Sequence, residues 1–185
     1  LFMSFWGSTF SVLLVTGHIP IRQVAKVFAP KLLEQALGHA MKLRAALPEA
    51  QRRKPIAVVG LNPHAGEEGL IGSEEAKWFK KIIKKWKERG VEGPLVPDAA
   101  FLPKMQIKYS LFICPYHDQG LIPFKLVHGF ISGAHVTLGL PFVRTSVDHG
   151  TAKELYGLDQ AEHGSMVDAI RTAIALVRSR DEKES

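Results

Sequence analysis

The sequence predicts an α/β fold: a largely parallel sheet flanked by helices. Short apolar runs alternate with longer stretches of helical period, strand then helix then strand. Three of these runs, at residues 11–16 (S-V-L-L-V-T), 56–61 (I-A-V-V-G-L) and 111–114 (L-F-I-C), are apolar without a break. Continuous rather than alternating apolar character suits strands covered on both faces, as in a parallel sheet between helix layers. A length of 185 residues, 46% hydrophobic and 23% charged, is ordinary for one soluble domain with a substantial core.

In chain order, residues 2–10 are apolar but ambiguous in period, and are expected to pack against a further segment. They contain neither an initiating Met nor the basic start and small-residue cleavage site of a signal peptide. The chain is therefore expected to be a portion of a longer protein. Residues 22–47 carry Val24, Val27, Leu32, Leu33, Leu37, Met41 and Leu47 at helical spacing. Pro30 divides them into a short helix and a longer one. Residues 48–55 read as a polar, basic loop.

Residues 62–72, N-P-H-A-G-E-E-G-L-I-G, are too rich in glycine and acids for a tight turn and read as a functional loop. Ser73 is a suitable N-cap for a helix over 74–89, with Glu74 and Glu75 in the first turn, where the helix dipole favours anions. Trp78, Phe79, Ile82, Ile83 and Trp86 share one face of that helix, and lysines fill the rest. This is core-helix spacing with a solvated cationic face. Residues 90–97 read as a loop and 98–101 as a helical turn. Pro115 and Tyr116 close the strand at 111–114, placing His117, Asp118 and Gln119 at its end, and Gly120 permits a sharp turn or a close backbone approach. Residues 133–138 read as a strand, 139–144 as a turn into another, and 146–152 as a polar loop leading to a short helix that ends near Gly157. A last helix spans 165–178 with Met166, Ile170, Ile174 and Val177 on one face, and a charged tail at 179–185 is expected to fray. No internal repeat or low-complexity segment is present.

The net charge of +6 permits anionic ligands. With no zinc finger, RNP motif, Walker loop or G-x-G-x-x-G, neither a nucleic-acid partner nor a Rossmann dinucleotide site is expected. No stretch has the length of a transmembrane helix, so no membrane partner is expected. The one cysteine, Cys114, excludes an internal disulfide framework. Lying within an apolar run, it reads as core, and it fits a reducing, cytoplasmic location.

Each of the three continuous runs delivers a histidine just past its end: His18, His64 and His117. In open α/β sheets, ligands bind at the carboxyl ends of the strands. If these strands are parallel neighbours, three imidazoles share one rim, which is the pattern of a catalytic divalent metal site with an open position. Three unrelated loop histidines are the alternative at this point. Lys125 adds a cation close by. His39, His128 and His163 read as surface or packing residues.

Three loops carry a resemblance. N-P-H-A-G-E at 62–67, Y-H-D-Q-G at 116–120 and G-L-P-F-V-R-T-S-V-D-H-G-T-A at 139–152 occur in the order found in the PdxA family, the 4-hydroxythreonine-4-phosphate dehydrogenases of pyridoxal phosphate biosynthesis. The resemblance runs from about His18 to the last helix. It implies a two-domain fold similar to the isocitrate and isopropylmalate dehydrogenases. This chain would be the C-terminal portion, with the N-terminal part missing: residues 11–140 would form the metal and substrate region, and 141–185 a returning segment with the cofactor loop and terminal helix. It further implies a homodimer with the active site at the subunit interface. The implied reaction is NAD- or NADP-linked oxidation of 4-hydroxythreonine 4-phosphate to a β-keto acid that loses carbon dioxide.

By the same resemblance, His18, His64 and His117 hold the metal, which is zinc, or magnesium or cobalt in some members. Lys125 is both substrate-binding and catalytic, Asp118 and Asp98 support the metal or move protons, and Arg144 binds substrate. His135 stands where many members carry a substrate-contacting asparagine. Asp148, His149, Gly150 and Thr151 match the cofactor-adenosine loop. Asp98 also reads as a turn or cap residue, and His149 as a helix-start residue. The same residues would serve a dehydrogenase of phosphorylated threonate or erythronate, and a non-catalytic remnant would keep only the fold.

Overall fold

A computed structural model describes residues 1–129 and 132–184. It contains one seven-stranded sheet. The strands are β1 (Phe2–Trp6), β2 (Ser11–Leu14), β3 (Ile56–Val59), β4 (Val91–Leu95), β5 (Leu111–Cys114), β6 (Ala134–Leu138) and β7 (Arg144–Val147). Their order across the sheet is β4-β3-β5-β2-β1-β6-β7. The block from β4 to β2 is parallel, whereas β1, β6 and β7 extend it in antiparallel pairing. The α/β class and flanking helices are as expected, and the sheet is mixed.

Two stretches differ from the sequence reading. Residues 2–6 form β1 and lie inside the sheet, hydrogen-bonded to β2 on one side and β6 on the other. Residues 91–95, read as loop, form β4. Gly93 and Pro94 mimic a turn, but β4 is an edge strand, where a missing N–H leaves no ladder bond unmade.

The period-two geometry of the strands splits the core. Leu13, Ile56, Val58, Leu111 and Ile113 face one side. There they meet Leu33, Leu37 and Leu43 of α2 (Pro30–Ala46) and Phe28, which follows α1 (Ile21–Val27). Val12, Leu14, Ala57, Val59, Phe112 and Cys114 face the other side, against Phe10 and Phe124. Pro30 opens α2, where its missing N–H costs nothing. The short helices α3 (Glu49–Arg52) and α5 (Pro103–Lys108) bridge loops. The lysine-rich segment runs through a π turn (Glu75–Phe79), α4 (Lys80–Trp86) and a 3-10 turn (Lys87–Arg89). Phe79, Ile82 and Ile83 are buried on the core side, the lysines are exposed, and Lys85 pairs with Glu34 at 3.0 Å.

The helix α6 (His117–His128) covers the Phe112 side of the sheet. The last helix, α7 (Gly164–Glu184), is longer than expected and includes most of the charged tail; Ser185 lies outside the described residues. Ser165, Ala169 and Thr172 form its buried face. The stripe Met166, Ile170, Ile174 and Val177 is about half exposed, so the small residues set the close packing on β7 and the large ones point away. Among the described residues, no helix is long and apolar enough to cross a membrane.

Two predictions follow from burial alone. The Cys114 thiol is fully enclosed, and burial pushes its pKa well above the usual thiol range. A thiol reagent is therefore expected to leave native protein unlabelled and to react fully only in denaturant. His128 is also buried. Its Nδ1–H donates to the Phe124 carbonyl at 3.0 Å and its Nε2 accepts the Thr9 N–H at 3.2 Å, so the ring is held neutral. Burial lowers the pKa of His128, and also those of His39 and His135. A histidine with a depressed folded pKa gives its full stability above the unfolded value of about 6.5, and loses it as pH falls through the folded value. The thermal midpoint is expected to drop between pH 7 and pH 5, and the drop should shrink in His128→Gln. A flat wild-type profile over that interval contradicts this.

Candidate active site

The three histidine-bearing strands are consecutive and parallel, in the order β3-β5-β2, so their carboxyl ends share one rim. The ends of β2 and β5 are laced together. Val15 N–H donates to the Cys114 carbonyl at 2.9 Å, and both Thr16 N–H and Thr16 Oγ1 donate to the Pro115 carbonyl, at 3.1 and 2.7 Å. The segments leaving those ends bring the His18 and His117 rings to 4.9 Å between centroids.

Residues 117–120 are the first turn of α6 rather than a loop. Gly120 serves the close approach and not a sharp turn: a Cβ there would fall 2.8 Å from Leu14 Cδ2 and 3.0 Å from Cys114 Sγ. Asp118 Oδ1 lies 2.7 Å from His117 Nδ1, in the first helical turn, where a negative charge is favoured. Such a contact fixes which ring nitrogen is free to coordinate. Gln119 Nε2 donates to the Gly60 carbonyl at 2.8 Å, fastening α6 to the end of β3.

The loop after β3 takes an unusual path. His64, Ala65, Gly66, Glu67 and Glu68 all have positive φ, from 40° to 80°. For residues other than glycine this region is strained and persists only when the surroundings enforce it. Glu75 anchors the backbone just before this run. Its carboxylate is 1% exposed and accepts three hydrogen bonds at 2.8 Å, from Leu61 N–H, Asn62 N–H and Asn62 Nδ2. Glu74 takes a second bond from Asn62 Nδ2 at 2.9 Å, and its pKa is lowered by its own backbone N–H and by Asn62. Sequence reasoning assigned these acids only to the helix dipole. The signal available was an acidic pair just after a glycine-rich loop.

His64 itself is exposed, with Nδ1 3.8 Å from Glu67 Oε2. Among the described residues, no three His, Cys, Asp or Glu side chains are grouped closely enough to hold a metal ion. Two of the three candidate ligands are thus adjacent, and the third stands on the same rim but apart from them. Asp98 is exposed in a 3-10 turn (Pro97–Ala99) after β4 and makes no hydrogen bond or ion pair among the described residues.

The β6–β7 hairpin supplies a polar row. Its register pairs Thr137 with Arg144 and His135 with Ser146. Met3 of β1 pairs with both Leu14 and Thr137, so Arg144 and the end of β2 lie towards one rim. Arg144 is exposed and donates to Thr137 Oγ1 at 2.7 Å. The His135 ring stacks on Phe5 at 5.0 Å, with Nδ1 3.0 Å from Ser146 Oγ. Burial, then the charges of Arg144 and His18, lower its pKa, which favours the neutral ring.

Lys125 stands about two turns along α6 from His117. Its Nζ donates to the Asp148 carbonyl at 2.6 Å and pairs with Asp148 Oδ2 at 2.7 Å. The Asp148 carboxylate is therefore enclosed, unlike the rest of the expected cofactor loop. His149, Gly150 and Thr151 are exposed, with His149 Nδ1 2.9 Å from the Gly150 carbonyl. The four residues do not present one common surface.

Comparison with known proteins identifies the lineage. The profile of the family described as pyridoxal phosphate biosynthetic protein PdxA matches residues 1–173. The chain belongs to the PdxA family. It is 43% identical over 169 residues to a 4-hydroxythreonine-4-phosphate dehydrogenase of Paracoccus denitrificans, covering 90% of this chain and 52% of that protein. Among solved structures, the 4-hydroxythreonine-4-phosphate dehydrogenase of Klebsiella pneumoniae superposes with a TM-score of 0.77 at 37% identity, covering 95% of this chain and 53% of that one. A terephthalate 1,2-cis-dihydrodiol dehydrogenase of Burkholderia xenovorans superposes with a TM-score of 0.69 at 27% identity, covering 94% and 55%. This PdxA-family chain spans about half the length of these relatives. The resemblance read from its three loops is borne out.

Proposed function

We propose that this chain carries the metal and substrate region of a 4-hydroxythreonine-4-phosphate dehydrogenase acting in pyridoxal phosphate biosynthesis. The observation that carries the reading is the pairing of His18 with His117 on the rim of parallel strands, with Asp118 against His117. Nitrogen donors suit zinc best, and magnesium or cobalt are the alternatives. His18 and His117 are the first two ligands, and His64, on the same rim, is the third. A divalent ion held there supplies Lewis acidity that lowers the pKa of the substrate hydroxyl.

The chain's own groups do the rest. Arg144 offers a planar fork to a carboxylate or phosphate. His135 presents a neutral ring beside it. Lys125 contacts the substrate and carries a proton at Nζ, while Asp118 and Asp98 take part in proton transfer. The secondary alcohol becomes a ketone, its hydride passes to NAD or NADP, and its hydroxyl proton leaves to solvent. The resulting β-keto acid loses carbon dioxide and gains a proton at carbon, giving 3-amino-2-oxopropyl phosphate. His149, Gly150 and Thr151 contact the cofactor. The functional unit is a cytoplasmic homodimer with the site at the subunit interface.

His135, where the family resemblance places an asparagine, favours one second reading: a dehydrogenase of phosphorylated threonate or erythronate. The structural likeness to a dihydrodiol dehydrogenase supports a fold that serves more than one hydroxylated substrate. Isothermal titration of zinc-loaded protein with 4-hydroxythreonine 4-phosphate, its unphosphorylated form and 4-phosphoerythronate separates these. The first reading expects the phosphorylated amino acid to bind tightest. Tighter binding of the sugar acid establishes the second, and no binding of any of the three removes both.

A further inference from the structure

Asp148 lies inside the fold although it belongs to a polar loop. Its side chain is 0% exposed. A carboxylate so enclosed is costly unless it is paired and hydrogen-bonded. The pairing comes from Lys125, whose ammonium is gripped twice, by Oδ2 at 2.7 Å and by the Asp148 main-chain carbonyl at 2.6 Å.

The grip is itself supported. Ser165 Oγ, at the start of α7, accepts the Asp148 N–H at 3.1 Å, donates to the Gly133 carbonyl at 2.8 Å and lies 3.2 Å from Asp148 Oδ1. The Gly133 N–H donates to Asp168 Oδ2 at 3.0 Å. Gly133 has φ of 109°, and a Cβ there would sit 3.2 Å from Asp148 Oδ2 and 3.2 Å from the Phe124 ring. The missing Cβ leaves room for the carboxylate, and the φ of Gly133 is one that other residues rarely adopt. Three elements thus meet the Asp148 carboxylate at the end of β7: α6 through Lys125, the start of β6 through Gly133, and α7 through Ser165, while Asp168 of α7 holds the Gly133 N–H.

A lysine stem has several rotatable bonds, so its charge wanders unless something fixes it. We propose that Asp148, braced by Ser165, is a positioning residue that fixes the Lys125 ammonium just past the end of β7, two residues beyond Ser146, the partner of His135. The proposal rests on the reading of Lys125 as a substrate-contacting group, and it separates Asp148 from the cofactor role expected for residues 148–151.

The test uses the full chain, with initial rates of amine labelling read at each lysine by mass spectrometry. Asp148→Asn keeps the shape and removes the charge. Lys125 is expected to label roughly tenfold faster, the low end of what a close charge pair contributes, since the variant loses the ion pair and keeps the main-chain bond. The exposed Lys80 and Lys84 should label at unchanged rates, which a general loosening of the fold would not allow. Ser165→Ala, which leaves the carboxylate but removes its brace, should speed Lys125 labelling by a smaller factor, and it carries the test alone if Asp148→Asn does not fold. The second readout is binding of 4-hydroxythreonine 4-phosphate to zinc-loaded protein, expected to weaken severalfold in the same variants. Unchanged Lys125 labelling overturns the positioning role. Faster labelling with unchanged substrate binding overturns the substrate role of Lys125 and leaves the dehydrogenase reading to stand on the histidine pair.

Discussion

His117→Ala is expected to weaken zinc binding by more than about 100-fold, beyond the roughly 10–100-fold typical of losing a group that only orients a ligand. Among the described residues, the His117 ring is the one candidate ligand that meets two other site groups, His18 at 4.9 Å between centroids and Asp118 at 2.7 Å. Its removal leaves His18 alone on the inner part of the rim. His18→Ala should match it. Asp118→Asn keeps both rings but loses the charged partner of His117, and should fall in the smaller range. His64→Ala is the informative member of the series. A loss equal to that of His117→Ala makes His64 a full ligand, although it stands apart in the structure. A chelator competition assay measures all four. Wild-type affinity in His117→Ala contradicts the site, and because the His117 side chain is 28% exposed and lies at a helix start, misfolding would not explain a loss.

Glu75→Ala is expected to be the most destabilising substitution around the site, by about 3 kcal/mol or more. The carboxylate satisfies two backbone N–H groups and the Asn62 amide in a buried place; alanine leaves both backbone groups without an acceptor and the Asn62 amide with Glu74 alone. The same bonds anchor the entry to the loop of His64, just before its run of left-handed residues, so metal affinity should fall along with stability. Glu75→Gln retains the oxygen that serves Leu61 and Asn62 but turns an amide NH2 towards Asn62 Nδ2, and should fall between the two. Urea unfolding monitored by tryptophan fluorescence gives the values. A change below about 0.5 kcal/mol in Glu75→Ala, the range of ordinary surface substitutions, contradicts this account.

The readable parts of the chain were those whose signal is local. Three continuous apolar runs are three adjacent parallel strands, because burial on both faces leaves no polar positions to confuse the pattern. Pro30 marked the start of α2 because proline is best accommodated in the first helical turn. The lysine helix was legible as core because its apolar stripe repeats at helical spacing. By contrast, β4 was hidden by Gly93 and Pro94, tolerated only because the strand lies on the sheet edge. The first turn of α6 was hidden by polar residues and Gly120, which suit a helix start pressed against Leu14 and Cys114.

The same division applies to the site. Strand-end position singled out His18 and His117, which the structure brings together. It could not reveal that Glu75 holds the entry to the His64 loop, or that Lys125 reaches Asp148, 23 residues away. Both contacts depend on how elements pack, and neither has a sequence period. Period two does place Arg144 and Ser146 on one face of β7, but a four-residue strand is too short for that alternation to stand out from a polar loop.

The proposed reaction is oxidation of a phosphorylated hydroxy-amino acid at a metal-dependent site on this chain. The most direct test is reduction of NAD or NADP by 4-hydroxythreonine 4-phosphate, followed by nicotinamide absorbance, with metal-free protein before and after zinc is added. The account predicts no reduction without metal, turnover once metal is supplied, and none in His117→Ala. Protein that binds both zinc and substrate yet reduces neither cofactor would contradict it.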